Sequence, residues 1–183
     1  MAHRDLKPQN VLLTSELTCK LADFGTARDL FSDTKSITGN VGTVAYLPPE
    51  AMAERVDGAG QLGGAWDIYS FGVLICAMWT QCAPFGYLGD QDIYTAVSKH
   101  NKRPNMRAVP KKHHRRKSSG AYPPDEPRSR SLLGSVSDFA SMEQIDDQLC
   151  ALVDTMWHRD PKQRPTATYV LERLRQLLIA VEI

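Results

Sequence analysis

No C-x-x-C pair occurs in the 183 residues, and the four cysteines, Cys19, Cys76, Cys82 and Cys150, are scattered. That distribution excludes the common zinc frameworks and a disulfide-stapled scaffold, and favours a reducing compartment. Neither sign of charge dominates: 22 Lys and Arg against 21 Asp and Glu leave a net charge of +1. So small a surplus argues against a chain built as a whole for nucleic acid or an anionic membrane surface. The longest apolar run, Ala65 to Trp79, has 15 residues and contains Asp67. It is short of the roughly 20 residues that a bilayer span requires, and reads as a buried helix. The opening Met1-Ala2-His3-Arg4-Asp5 contains no apolar stretch of the kind that marks a secretory leader. What remains is an ordinary composition, 42% apolar and 23% charged, long enough for one domain with a real core. The expectation is a soluble, cytoplasmic protein with no membrane partner.

Periodicity divides the chain into few elements. Residues 11–14 and 19–22 are short apolar segments around a polar turn and read as a hairpin. Residues 26–41, rich in Ser, Thr, Asp and Gly, read as a loop, and Pro48-Pro49-Glu50 opens a short helix. Residues 65–80 are apolar on all sides, as expected of a helix at the centre of a fold, and 90–100 form a weaker helix. From Asn105 to Ser141 both periods vanish. Ile145, Leu149, Leu152, Val153 and Met156 then form an amphipathic stripe, and Val170, Leu171, Leu174, Leu177, Leu178 and Val181 form another. Two short strands and at least four helices make the fold class mostly α (α+β). No internal repeat is evident.

Three short motifs stand in order. His3-Arg4-Asp5-Leu6-Lys7-Pro8-Gln9-Asn10 comes first; eighteen residues after Asp5 comes Asp23-Phe24-Gly25, beyond the hairpin; Pro48-Pro49-Glu50 follows. Each alone is weak, but their order and the elements between them together carry the reading. The first matches the protein-kinase catalytic loop H-R-D-L-x-x-x-N in full, the second is D-F-G, and the third is close to A-P-E. The chain thus resembles the large C-terminal lobe of a eukaryotic protein kinase. Tyr69-Ser70-Phe71-Gly72-Val73, the residues around Asp23, and Lys102-Arg103-Pro104 resemble Ser/Thr kinases of the tyrosine-kinase-like group.

The chemistry of phosphoryl transfer shows why such residues are needed. The protein must neutralise charge and position groups in line, and does little covalent work itself. Asp5 fits the acceptor of the hydroxyl proton, and Asn10 and Asp23 offer the oxygen ligands that magnesium prefers. Lys7 would neutralise the transferred phosphate of ATP, and Arg4 beside Asp5 would pair with a phosphate on the segment that follows, at Ser32, Thr34, Ser36 or Thr38. The resemblance implies that Thr43, in Gly42-Thr43-Val44-Ala45-Tyr46, hydrogen-bonds the catalytic loop, and with Lys7 it favours Ser/Thr over Tyr substrates. It also implies that His3 and Phe24 belong to a hydrophobic spine. Leu12, with Leu74 and Met78, would floor the adenine site. Asp67 would brace the catalytic-loop backbone and Arg164 would pair with Glu50; the blander alternatives are a helix cap for Asp67 and a solvated charge for Arg164.

Two features depart from the resemblance. The Gly-rich loop, strand lysine and helix glutamate of a kinase small lobe belong upstream of the catalytic loop, where only Met1 and Ala2 stand. The expectation is a lobe lacking its N-lobe and inactive in isolation. The second departure is residues 107–131, where eight Lys or Arg face Asp125 and Glu126. The net charge of +1 then leaves −5 for the rest of the chain. Within a single kinase domain at 1–183, the stretch 105–141 reads as a basic, disordered insert. It is a solvated loop or, more sharply, a nuclear-import or acidic-partner patch at 111–117, or a phosphorylated switch at Ser118 and Ser119.

The expected function is transfer of the ATP γ-phosphate to Ser or Thr of a protein substrate, using Mg2+ and subject to an activating kinase. The alternative is a non-catalytic lobe that competes for a full-length kinase's partners. Nucleic acid is not an expected partner, because one 25-residue basic segment comes with no recognition fold.

Overall fold

The computed structural model describes residues 2–24, 44–52, 63–86, 88–108 and 136–181. Two antiparallel strands, β1 (Val11–Leu13) and β2 (Cys19–Leu21), pair with Leu12 opposite Lys20. Among the described residues four helices follow: α1 (Gly63–Thr80), α2 (Asp90–Ser98), α3 (Val136–Met156) and α4 (Ala167–Val181). Short 3-10 turns lie at Pro8–Asn10, Val44–Tyr46, Pro49–Met52 and Pro161–Gln163. Among the described residues no helix is long and apolar enough to cross a membrane.

Helix α1 is the axis of the core. Ile68, Tyr69, Val73, Leu74, Ile75 and Cys76 on it are all buried, Tyr69 and Val73 completely, while Met78 and Trp79 near its end are exposed, so most of its length faces protein as a largely apolar run requires. It ends at Thr80, whose hydroxyl donates to the Cys76 carbonyl at 2.7 Å, and Gln81 then takes a left-handed φ of 53° that turns the chain away. Helix α3 packs on α1 through Leu149, Leu152, Val153 and Met156. Gly72 permits their approach: a β-carbon there would stand 3.2 Å from Cβ of Met156. Helix α4 closes on α3 with Val170 and Leu177. Ile93 and Val97 of α2 join the same core beside Val44, Ala45 and Tyr46. Burying each such side chain contributes about 1.5–3 kcal/mol.

Helix α3 begins at Val136, so the last six residues of the stretch read as a disordered insert are helical. A helix extends by one turn at little expense once its nucleus exists, even through Ser and Asp. At the other end of that stretch, Met106 is buried and the Arg107 side chain pairs with Asp147 of α3 at 2.6 Å. The basic run 111–117 and the serines at 118 and 119 lie outside the described residues.

The hairpin is open to solvent, with Leu12, Leu13, Leu17 and Leu21 all exposed. A two-stranded ribbon is marginal alone, and this one is fastened at its base, where the Ala22 amide donates to the Asn10 carbonyl at 2.9 Å.

Candidate active site

The hairpin base brings the first two motifs together. The amide Nδ2 of Asn10 donates to the Asp5 carbonyl at 2.7 Å and to Asp5 Oδ2 at 3.0 Å. Lys7 Nζ reaches the same Oδ2 at 2.7 Å, and both side chains of that pair are nearly closed to solvent. Asp5 thus has one carboxylate oxygen held by a cation and an amide, which fixes its direction. Because Nδ2 of Asn10 faces Asp5, the amide offers its oxygen to any further partner.

Asp23 stands one residue beyond Ala22, the partner of Asn10, and adopts a left-handed φ of 61°. Aspartate tolerates that conformation better than most side chains. Asp23 and Asn10 therefore flank the same backbone hydrogen bond, and the carboxylate of Asp23 is exposed. Among the described residues there is no cluster of three or more His, Cys, Asp or Glu. One carboxylate and one amide oxygen fit a hard cation that keeps water and phosphate oxygens in its shell, as magnesium does.

His3 locks the two segments. Its Nε2 lies 2.8 Å from the Ala22 carbonyl and its Nδ1 accepts from the Asp5 amide at 3.3 Å, an arrangement that sets the proton on Nε2. The ring meets Phe24 at 4.8 Å between centroids, tilted by 60°. The pairing expected for a spine is thus present, although Phe24 is half exposed. Of the expected adenine floor, Leu74 is buried in the core while Leu12 and Met78 lie more than half open. Thr43 and the serines and threonines at 32–38 lie outside the described residues.

The whole loop is hung from α1. Asp67 accepts from the His3 amide through Oδ2 and from the Arg4 amide through Oδ1, both at 2.7 Å. Arg4 has a φ of 65°, a strained state for a non-glycine residue that persists only where its surroundings impose it. Arg164 meets Glu50 in a two-pronged pair at 2.6 and 2.8 Å, and also donates to the Ala65 and His158 carbonyls. Both brace contacts therefore exist, and the cap and solvated-charge readings fall.

Sequence reasoning missed the aromatic cradle at the start of α1. The guanidinium of Arg4 lies 5.9 Å from the Trp66 ring centroid, and those of Arg103 and Arg164 lie 5.2 and 5.0 Å from that of Tyr69. The signal available was an aromatic pair three residues apart, which reads as plain core. A Gly-x-Gly-x-x-Gly spacing occurs at Gly58 to Gly63, running directly into α1. That context, downstream of all three motifs, is not that of a loop preceding a lysine strand.

Comparison with known proteins agrees with this geometry. The protein kinase domain family matches residues 1–174. The receptor-interacting serine/threonine-protein kinase 3 of Rattus norvegicus is 35% identical over 173 residues, covering 91% of this chain and 29% of that protein. In Arabidopsis thaliana, cysteine-rich receptor-like protein kinase 21 is 49% identical over 75 residues, covering 40% of this chain and 10% of its own length. The serine/threonine/tyrosine-protein kinase HT1, also of Arabidopsis thaliana, is 35% identical over 106 residues, covering 58% of this chain and 26% of its own length. The chain belongs to the protein kinase domain family. Its relatives are Ser/Thr and receptor-like kinases, and it spans less than a third of the length of each of these three.

Proposed function

We propose that this lobe supplies the catalytic half of a protein Ser/Thr kinase that transfers the γ-phosphate of ATP to a protein hydroxyl. The observation that carries the reading is the set around Asp5: a carboxylate aimed by Lys7 and Asn10, with Asp23 at the same hairpin base. Asp5 accepts the hydroxyl proton as the substrate oxygen bonds to phosphorus and the bridging oxygen leaves on ADP. Lys7, already within reach of Asp5, neutralises the phosphoryl oxygens as the transfer proceeds. Asn10 and Asp23 would hold magnesium, which when bound screens the phosphate charge. Lys7 supports Ser/Thr specificity, and Arg4, adjacent to the acceptor, supports control by a phosphate delivered by an activating kinase.

The test is labelled-phosphate transfer to Ser, Thr and Tyr peptides by the protein in the longest form its gene encodes. Ser or Thr labelling is expected. Asp5→Asn and Asp23→Asn should each lower it by about a hundredfold or more with unchanged circular dichroism. A folded wild-type protein that transfers nothing would instead favour the non-catalytic binding lobe.

A further inference from the structure

Arg4 is held at both of its ends by consecutive residues of α1. Asp67 fixes the backbone, accepting from the Arg4 amide at 2.7 Å. Trp66 lies under the side chain, its ring centroid 5.9 Å from the guanidinium carbon. Trp66 is itself 5% exposed, so its face is fixed by the core and is not free to follow the arginine. A cation over a desolvated indole is the strongest of the side-chain cation–π pairs.

The conformation that this double hold maintains matters for the residue that follows. With a φ of 65°, Arg4 lies in the small left-handed region, and most non-glycine residues would relax out of it. Relaxation at Arg4 would rotate the next peptide and swing the Asp5 carboxylate away from Lys7 Nζ and Asn10 Nδ2. Asp67 holds the amide and does not act on the arginine side chain. The face of Trp66 gives the side chain a fixed seat. Because the indole face carries no net charge, the seat does not depend on an anion reaching Arg4.

We infer that Trp66 is a positioning residue for phosphoryl transfer, which holds the Arg4 guanidinium on its face and so keeps the Asp5 carboxylate aimed. The inference rests on the proposed kinase function for its catalytic consequence, but its geometry can be tested without activity.

The experiment compares Trp66→Leu, Trp66→Phe and Arg4→Met in the longest form the gene encodes, by steady-state kinetics and by hydrogen exchange. Loss of the aromatic face in Trp66→Leu should lower kcat by about fivefold or more with little change in KM for ATP or peptide. Trp66→Phe should recover most of it. Arg4→Met, which keeps the stem and loses the charge, should resemble Trp66→Leu. In parallel, exchange should quicken in a peptic peptide over residues 2–10 and stay unchanged in one over 149–157, in Trp66→Leu and Arg4→Met but not in Trp66→Phe. That pattern sustains the inference even if the wild-type protein transfers no phosphate, an outcome that would count against the kinase reading alone. Exchange at residues 2–10 unchanged in Trp66→Leu would overturn it. So would a rise shared equally by 149–157, or one as large in Trp66→Phe, since either would make Trp66 a packing residue only.

Discussion

Tyr69 is the largest side chain that the core closes off completely, and among the described residues its hydroxyl meets no hydrogen-bond partner. Burial pushes the phenol up to about 12, against the weaker opposite pull of Arg103 and Arg164. A buried, unsatisfied hydroxyl costs about 1–3 kcal/mol, while the two guanidiniums use only the ring face, which phenylalanine would keep. Tyr69→Phe should therefore be at least as stable as the wild type at pH 7 in urea denaturation. The linkage has a definite sign. The folded phenol titrates above its ordinary value of 10.0, so the neutral hydroxyl's contribution is fully present below pH 10 and is lost as pH rises toward 12. The wild type should lose on the order of 2–3 kcal/mol across that window. Tyr69→Phe should lose correspondingly less, and superimposable alkaline profiles would contradict the account.

Among elements, α1 and α3 approach each other closely at Gly72. Replacing Gly72 with alanine sets a helix-propensity gain of about 1 kcal/mol against a β-carbon 3.2 Å from Cβ of Met156. The two nearly offset, so Gly72→Ala should change the urea midpoint little. Gly72→Val adds bulk with no flexible atom opposite, because the first atom met is itself fixed to the α3 backbone. It should lower stability by about 1–3 kcal/mol. The elements themselves were largely legible in the sequence. The hairpin, α1, α2 and α4 fall within a few residues of the segments that the sequence marks, the three helices because each buries apolar residues in the core and the hairpin because two short apolar runs flank a polar turn. The start of α3 was not legible. Ser137, Asp138 and Ser141 are turn and cap formers by type, and they follow a serine-rich and basic run.

At the scale of the molecule, the site is a set of segments suspended from one helix. Asp67 holds the loop, Ser70 holds the Val44–Tyr46 turn through the Tyr46 carbonyl at 2.8 Å, and Ala65 receives Arg164. The cluster of Asp5, Lys7 and Asn10 at the hairpin base was legible because motif spacing names those residues. The Trp66 and Tyr69 cradle was not, since an aromatic residue in an apolar run looks the same whether it packs on leucine or under an arginine. Asp67→Asn tests the suspension: an amide can accept from one of the two loop N–H groups but presents a donor to the other. A loss of about 1–3 kcal/mol is expected, with exchange of the His3 and Arg4 amides quickened well beyond that of Val153, fully buried in the last turn of α3. Equal quickening at all three would mean that Asp67 supports the fold generally and not the loop.

The same suspension has a consequence in time. The two bonds from Asp67 span 64 and 63 residues, and a chain leaves the ribosome with its N-terminal side first. The catalytic loop is therefore made before the residue that shapes it. At about 5–20 residues per second, the interval is roughly 3–13 s. Throughout that interval the His3 and Arg4 amides lack the Asp67 carboxylate that receives them in the folded lobe. Assembly of the candidate site is in this way deferred until α1 has been synthesised, so a chain stalled in translation between Glu50 and Trp66 has all three motifs and lacks the residue that holds the loop.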